Sequence, residues 1–437
     1  MNYEEAIRYL GGLGNEVLAM KLGLENIRTL LAALNNPEKK YAKVQIAGTN
    51  GKGSTVAFLE AICLSAEIKV GTTTSPHLVS ITERIKINGS EISENDFARN
   101  ATIIKETSKK LVENGKLETV PTFFEQVTAI ALNAFAEAEI ELAILETGLG
   151  GRFDATTAVN AEIVAVTRID YDHQKILGNS LAEIAAEKAA IIRDDTKVII
   201  APQKKEAERV ILGRCREVGV EPVQVSADYH IKKDSEISPM LFATFKTLND
   251  SYPNVLLSLF GRHQFENAAV AVHIAETLRE FNFEISKYSI TSGLETARHK
   301  GRLEFYENIL FDGAHNVSGA KALKDFLDEF IDQPITMIFG AMRDKDLTEI
   351  AEILFSKARQ LIFTKPDNPR SMEIEELLRF TPENFEKENV YAAETVEEAI
   401  EIAKKITKND ELILITGSLY LIGEAQENLG RASIENV

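Results

Sequence analysis

The chain has 437 residues, and its 67 Asp and Glu outnumber 49 Lys and Arg to leave a formal net charge of −18. That acid excess argues against a nucleic-acid partner, because phosphates are held mainly by Lys and Arg, and against docking on an anionic membrane. At ~150 residues per domain the length predicts two or three domains; 44% hydrophobic and 27% charged residues suit soluble domains with substantial cores.

Cys63 and Cys215 are too few for a disulfide framework and fit a reducing compartment. The opening Met1-Asn2-Tyr3-Glu4-Glu5 lacks the basic-then-apolar pattern of a signal peptide. No apolar run approaches the ~18 residues that span a bilayer. A soluble cytoplasmic protein is the expectation.

Short β-rich runs alternate with helical patterns, which predicts an α/β fold with mostly parallel sheet. A strand over residues 43–47 runs into Gly48-Thr49-Asn50-Gly51-Lys52-Gly53-Ser54, and a helix over 54–66 follows. Glycines let backbone wrap phosphate oxygens, a helix N-terminus favours anions, and Lys52 adds a full positive charge. The spacing departs from the usual phosphate loop: two residues separate Gly48 from Gly51, and Gly53 separates Lys52 from Ser54.

Further along, the run over 70–74 leads to Ser75-Pro76-His77, a strand over 142–147 carries Glu146, and a strand over 163–166 precedes Asp170-Tyr171-Asp172-His173. Carboxyl ends of parallel strands are where ligands bind in open α/β sheets. Ser75, Glu146 and His173 thus offer O, O and N donors suited to Mg²⁺ or Mn²⁺ beside a phosphate loop.

Ser180 to Glu183 reads as a capping box opening a helix over 180–192. On that helix Lys188 shares the apolar stripe of Leu181, Ile184 and Ile191. Burial there lowers the amine's pKa and leaves a neutral nucleophile able to capture carbon dioxide as a carbamate. A lysine snorkelling its charge to water fits the same periodicity.

A strand follows over 197–201, and the polar stretch over 228–253 is expected to be an irregular excursion on the first domain. A boundary near residues 295–301 divides the chain into 1–296 and 297–437. The short basic cluster Arg298, His299, Lys300 and Arg302 reads as a solvated hinge. Beyond it lie a helix over 320–330 and strands over 336–340, 361–364 and 412–416. Thr364-Lys365-Pro366-Asp367 superficially resembles a guanine-reading motif, but it lies in the other domain from the phosphate loop and reads as a chance match.

These blocks, in this order, resemble the folylpolyglutamate synthases and bifunctional dihydrofolate synthases of the Mur ligase superfamily. The resemblance runs along nearly the whole chain: the Gly48–Ser54 loop with its extra Gly, Ser75-Pro76-His77-Leu78, Glu146 through Asp154, Asp172-His173, Glu187-Lys188-Ala189-Ala190, His263 through Ala268, Gly301-Arg302 and Asp312-Gly313-Ala314-His315-Asn316. It implies a P-loop-type N-terminal ATPase domain and a smaller Rossmann-like C-terminal glutamate ligase domain. It implies that Thr49, Asn50, Gly51, Lys52, Gly53, Ser54, Asn267, Arg302 and Asp312 bind ATP. Ser75, Glu146 and His173 would bind two Mg²⁺, with Lys188 as a carbamate supporting the second. Thr122, Phe123, Phe124, Glu125, Phe153, Asp154 and Ala155 would line the pterin pocket, and His315 would sit near the reaction centre.

Three departures stand out. Lys188 is followed by Ala-Ala where Ala-Gly is common, Thr157 replaces a usual Asn, and Lys21-Leu22-Gly23 replaces an Asp-Leu-Gly that touches dihydropteroate in some bifunctional relatives, which weakens the expectation of dihydrofolate synthase activity but leaves the ligase chemistry untouched. The resemblance implies a monomeric ATP-dependent ligase acting on folate or dihydropteroate and L-glutamate. Rival readings are a cell-wall amino-acid ligase, a catalytically silent nucleotide-binding regulator and a P-loop kinase.

Overall fold

The computed structural model describes residues 1–14, 23–225, 228–232, 240–343, 345 and 347–430. Runs rich in Val, Ile, Leu and Ala, buried on both faces as parallel strands must be, build the centre of the first sheet. Its strands are β1 (Ala42–Ala47), β2 (Val70–Thr73), β3 (Ile85–Ile87), β4 (Ser90–Glu91), β5 (Leu142–Glu146), β6 (Ile163–Val166), β7 (Lys197–Ile200) and β8 (Pro222–Gln224). They lie in the order β4-β3-β2-β5-β1-β6-β7-β8. From β2 to β8 every pairing is parallel, while β3 and β4 form an antiparallel edge. Helices Lys52–Ser65, His263–Leu278 and Lys287–Thr296 pack on one another against one face. The helix Phe123–Glu137 packs with Glu94–Glu113 on the opposite face.

The stretch expected to be irregular is β-structure where it is described. Strands β9 (Asp228–Lys232), β10 (Met240–Lys246) and β11 (Ser251–Leu257) form an antiparallel sheet in the order β11-β10-β9. Its polar look has a physical origin. In β11, Tyr252, Val255 and Leu257 are buried against the first domain while Ser251, Pro253 and Asn254 are exposed, and those exposed residues give the stretch its polar look. Residues 233–239 of that stretch lie outside the described residues, as do Lys21 and Leu22 of the N-terminal departure.

The second sheet holds β12 (Glu304–Tyr306), β13 (Ile309–Asp312), β14 (Ile335–Phe339), β15 (Gln360–Phe363), β16 (Val390–Ala392) and β17 (Leu412–Thr416), in the order β12-β13-β17-β14-β15-β16. All its pairings are parallel except β12 with β13. The chain passes from one sheet to the other over residues 297–303. Among the described residues no helix is long and apolar enough to cross a membrane.

Candidate active site

Strand order does the first work of assembly. Because β2, β5, β1 and β6 are adjacent and parallel, their carboxyl ends bring together Ser75, Glu146, the phosphate loop and the turn bearing His173. In the loop, the Thr49 hydroxyl donates to the Asp170 carbonyl at 3.0 Å, tying it to that turn. Lys52 Nζ donates to the Thr49 carbonyl at 3.3 Å and lies 3.8 Å from Glu146 Oε1. Asn267 Nδ2 donates to Gln264 at 2.9 Å, and Gln264 donates to the Ser54 hydroxyl at 3.2 Å. Asn50 Nδ2 is a buried donor with no protein partner at the mouth of the loop, as fits a group that meets a phosphate oxygen.

Gly53, the extra glycine, has a steric reason. A Cβ there would come within 2.6 Å of His299 Nε2. The expected solvated hinge is therefore corrected: Arg298 is exposed, but His299 reaches inward onto the phosphate loop. Burial, with Arg302 and Lys86 nearby, lowers the His299 pKa to about 3, so the ring is neutral.

Glu146 Oε2 accepts from the Ser75 backbone N–H at 3.3 Å; burial raises its pKa, opposed chiefly by Lys52. Burial lowers the pKa of His173, leaving a neutral ring. Lys188 is 5% exposed and donates from Nζ to the Gly48 carbonyl at 2.8 Å, so it is buried beneath the phosphate loop rather than snorkelling. Burial first, and the charge of Lys52 second, lower its pKa to about 7. Among the described residues no three His, Cys, Asp or Glu converge as a ready-made metal cage. A hydroxyl, a carboxylate and a neutral imidazole, beside a buried lysine that is half neutral near pH 7 and could become an oxygen donor as a carbamate, fit Mg²⁺ completed by water and phosphate.

The carboxyl ends of the second sheet supply the facing wall. Asp312 ends β13, accepts from the backbone N–H groups of Leu303 and Ala314 at 3.0 Å each, and has its pKa raised by burial to about 6 against the pull of Arg302. Arg302 Nη1 donates to the Gly313 carbonyl at 3.3 Å. His315 Nδ1 meets the same carbonyl at 2.7 Å. A carbonyl only accepts, so Nδ1 holds the proton and Nε2 keeps its lone pair. Burial, then Lys345, lower the His315 pKa to about 4. Asn316 caps the helix Val317–Phe330 and donates to Asn50 Oδ1 at 3.2 Å, joining the two domains.

Between the two walls lies a cavity bordered by Ser75, Thr122, Phe124, Glu125, Phe153, Asp154, Ala155 and His173 from the first domain and by His315 from the second. Several of these side chains also hold the local backbone. Thr122 and Glu125 form the capping box of the helix Phe123–Glu137. Asp154 accepts from the backbone N–H groups of Gly148, Leu149 and Thr156. Phe123 is not among the cavity-lining residues; the Arg84 guanidinium lies 5.4 Å from its ring centroid.

Lys345, Arg370 and Ser418 also line the cavity, and sequence reasoning passed over all three. Lys345 Nζ lies 2.8 Å from Asp172 Oδ1 across the domain boundary. Burial opposes ionisation of Asp172, yet Lys345, His173 and His315 hold its pKa below the ordinary range. A usable signal existed: Lys345 and Ser418 follow β14 and β17, at the strand ends where ligands bind.

Residues 46–275 match the profile of the Mur ligase middle domain, and residues 301–419 that of the Mur ligase glutamate ligase domain. The chain is 35% identical to a dihydrofolate synthase/folylpolyglutamate synthase of Bacillus subtilis, covering 98% of this chain and 99% of that one. Among solved structures it is similar to the Mycobacterium tuberculosis folylpolyglutamate synthase complexed with ADP and AMPPCP, at a TM-score of 0.88 and 28% identity over 98% of this chain and 99% of that one. It is likewise similar to E. coli FolC in complex with DHPP and ADP, at a TM-score of 0.86 and 28% identity over 99% and 98% of the two chains.

Proposed function

Because the chain belongs to the Mur ligase family, in its dihydrofolate synthase/folylpolyglutamate synthase branch, we infer that it is an ATP-dependent ligase joining L-glutamate to a folate carboxylate. One observation carries the reading: Ser75 and His173 border the same cavity as His315 from the other domain, and Asn316 of that domain is hydrogen-bonded to Asn50 of the phosphate loop.

A carboxylate attacking a triphosphate meets strong repulsion, and neutralising that charge is the main demand on the site. Lys52 and Arg302 are the fixed cations for it. Asn50 through Ser54 orient the phosphates, with Asn267 behind the loop and Asp312 on the facing wall. Ser75, Glu146, His173 and a carbamate on Lys188 would hold Mg²⁺, which when bound supplies further neutralisation of phosphoryl oxygens. The acceptor carboxylate attacks the γ-phosphorus, the bond to ADP breaks, and an acyl phosphate forms. Walls from both domains keep that acyl phosphate from water. Phe124 and Phe153 offer ring faces for the pterin, and Lys345 and Arg370 offer cations to a carboxylated amine. His315 Nε2 accepts a hydrogen bond from the incoming amine; the amine attacks the carbonyl, the carbon–oxygen bond to phosphate breaks, and the departing phosphate takes the proton that the nitrogen loses.

Dihydropteroate is the second acceptor to consider, because Gly23 of the N-terminal segment reaches the cavity. The test is incubation with ATP, Mg²⁺ and glutamate, offering tetrahydrofolate and dihydropteroate separately, with mass spectrometry of each acceptor. A gain of glutamate with acceptor-dependent ADP release is expected. A phosphorylated acceptor that never gains glutamate would show a kinase, and ADP release only with muramyl substrates would show a cell-wall ligase.

A further inference from the structure

Ser75 stands at the start of a short segment that is braced at every step. Its N–H is held by Glu146, and His77 Nδ1 accepts from Arg84 Nε at 2.7 Å. The Glu83 carboxylate accepts from the N–H groups of Leu78, Val79 and Ser80 at 2.7, 2.8 and 2.7 Å. Only Pro76 and His77 separate Ser75 from Leu78, so a shift of the Leu78 backbone is passed along the chain to Ser75.

Leu78 is the point at which this segment meets the other domain. Its side chain packs against the C-terminal core cluster that includes Phe311, Leu421 and Ile422. Its backbone lies directly on Gly423, within the helix Leu419–Asn428. A Cβ on Gly423 would overlap the Leu78 carbonyl oxygen and come within 2.6 Å of the carbonyl carbon. Backbone meets backbone here, so no side-chain rotation relieves the overlap; only separation of the two domains does. At Gly301 a Cβ would meet Leu78 Cδ1 at 3.3 Å and Ile422 Cγ2 at 3.5 Å, so the hinge closes the same seat from a third side.

We propose that Leu78 is a positioning residue whose seat on Gly423 and Ile422 carries domain closure to Ser75, setting the Ser75 segment for phosphoryl transfer only when the domains are together. This rests on the reading of Ser75 as part of the reaction centre. Lids and domain closures commonly complete a catalytic constellation in this way.

Gly423→Ala separates closure from folding, because alanine is the better helix former. The variant should melt at or above the parent's temperature, while kcat falls about tenfold or more and the radius of gyration with ADP, measured by small-angle scattering, rises. Unchanged scattering would overturn the latch itself; a larger radius with parental turnover would overturn the coupling to Ser75. Scattering reads domain geometry whatever the acceptor is, so a wrong substrate assignment leaves that arm intact. Should Gly423→Ala fail to fold, Leu78→Ala and Leu78→Met decide. Leu78→Ala should lower kcat about tenfold with KM for ATP within about threefold, and Leu78→Met should restore most of it. Equal losses in both, or a loss carried in the KM for ATP, would overturn the proposal.

Discussion

Lys188 carries the sharpest chemistry of any single side chain in the site. A lysine near pKa 7 is half neutral at that pH, and each pH unit below it cuts the neutral fraction about tenfold. Capture of carbon dioxide should therefore fail first on the acid side. Enzyme stripped of carbon dioxide at pH 6 is expected to lose turnover and to recover it with bicarbonate at pH 8. The stability sign follows from the same shift. The unfolded amine keeps its proton up to about 10.5 while the folded amine loses it near 7, so the stripped protein gains stability as pH rises between these values. Lys188→Ala should abolish most turnover, with partial rescue by short carboxylic acids; parental turnover in that variant would sink the carbamate. Gly53 gives a second test at this scale. Gly53→Ala should weaken ADP binding about tenfold by calorimetry, and His299→Ala in that background should recover part of it, because the added methyl then has room. A double variant no better than Gly53→Ala would show that the ring is not the obstacle.

The helix Leu181–Ala189 shows how an element delivers such a residue. Ser180 and Glu183 cap it reciprocally, which sets where the helix begins. Leu181, Ile184, Ala185 and Lys188 then fall on its buried face. Ser180→Ala should cost about 1 kcal/mol in a urea titration, a loss small enough to leave Lys188 in place. Capping and the apolar stripe were both legible in the sequence, since they depend on residues three and four apart. The antiparallel sheet of β9–β11 was not. Outward polar residues in a half-buried strand look like loop until the surface it packs on is known.

On the scale of the whole molecule, the net charge of −18 is no guide to ligands, because ATP and folates are themselves anionic. Local cations decide instead: Lys52 and Arg302 both act on Glu146, and Lys345 lines the cavity between the two domains. Lys345 pairs with Asp172 across that cleft. Lys345→Ala, which leaves the Asp172 carboxylate without its cation across the domain boundary, should lower turnover about tenfold or more. Parental turnover in that variant would mean that the pair does not serve the site.

The local chemistry is legible in the amino-acid order alone: a phosphate loop between strand and helix, donors at strand ends, capped helices and a lysine on an apolar stripe. Each is written within a few neighbouring residues. Folding of the whole chain sets which strand ends are neighbours, that His299 rather than Lys300 faces the phosphate loop, that Phe123 lies under Arg84 while Phe124 lines the cavity, and that Leu78 seats on Gly423. Those outcomes depend on strand order and domain packing, where partners far apart in the chain meet through contacts that no short window of sequence contains.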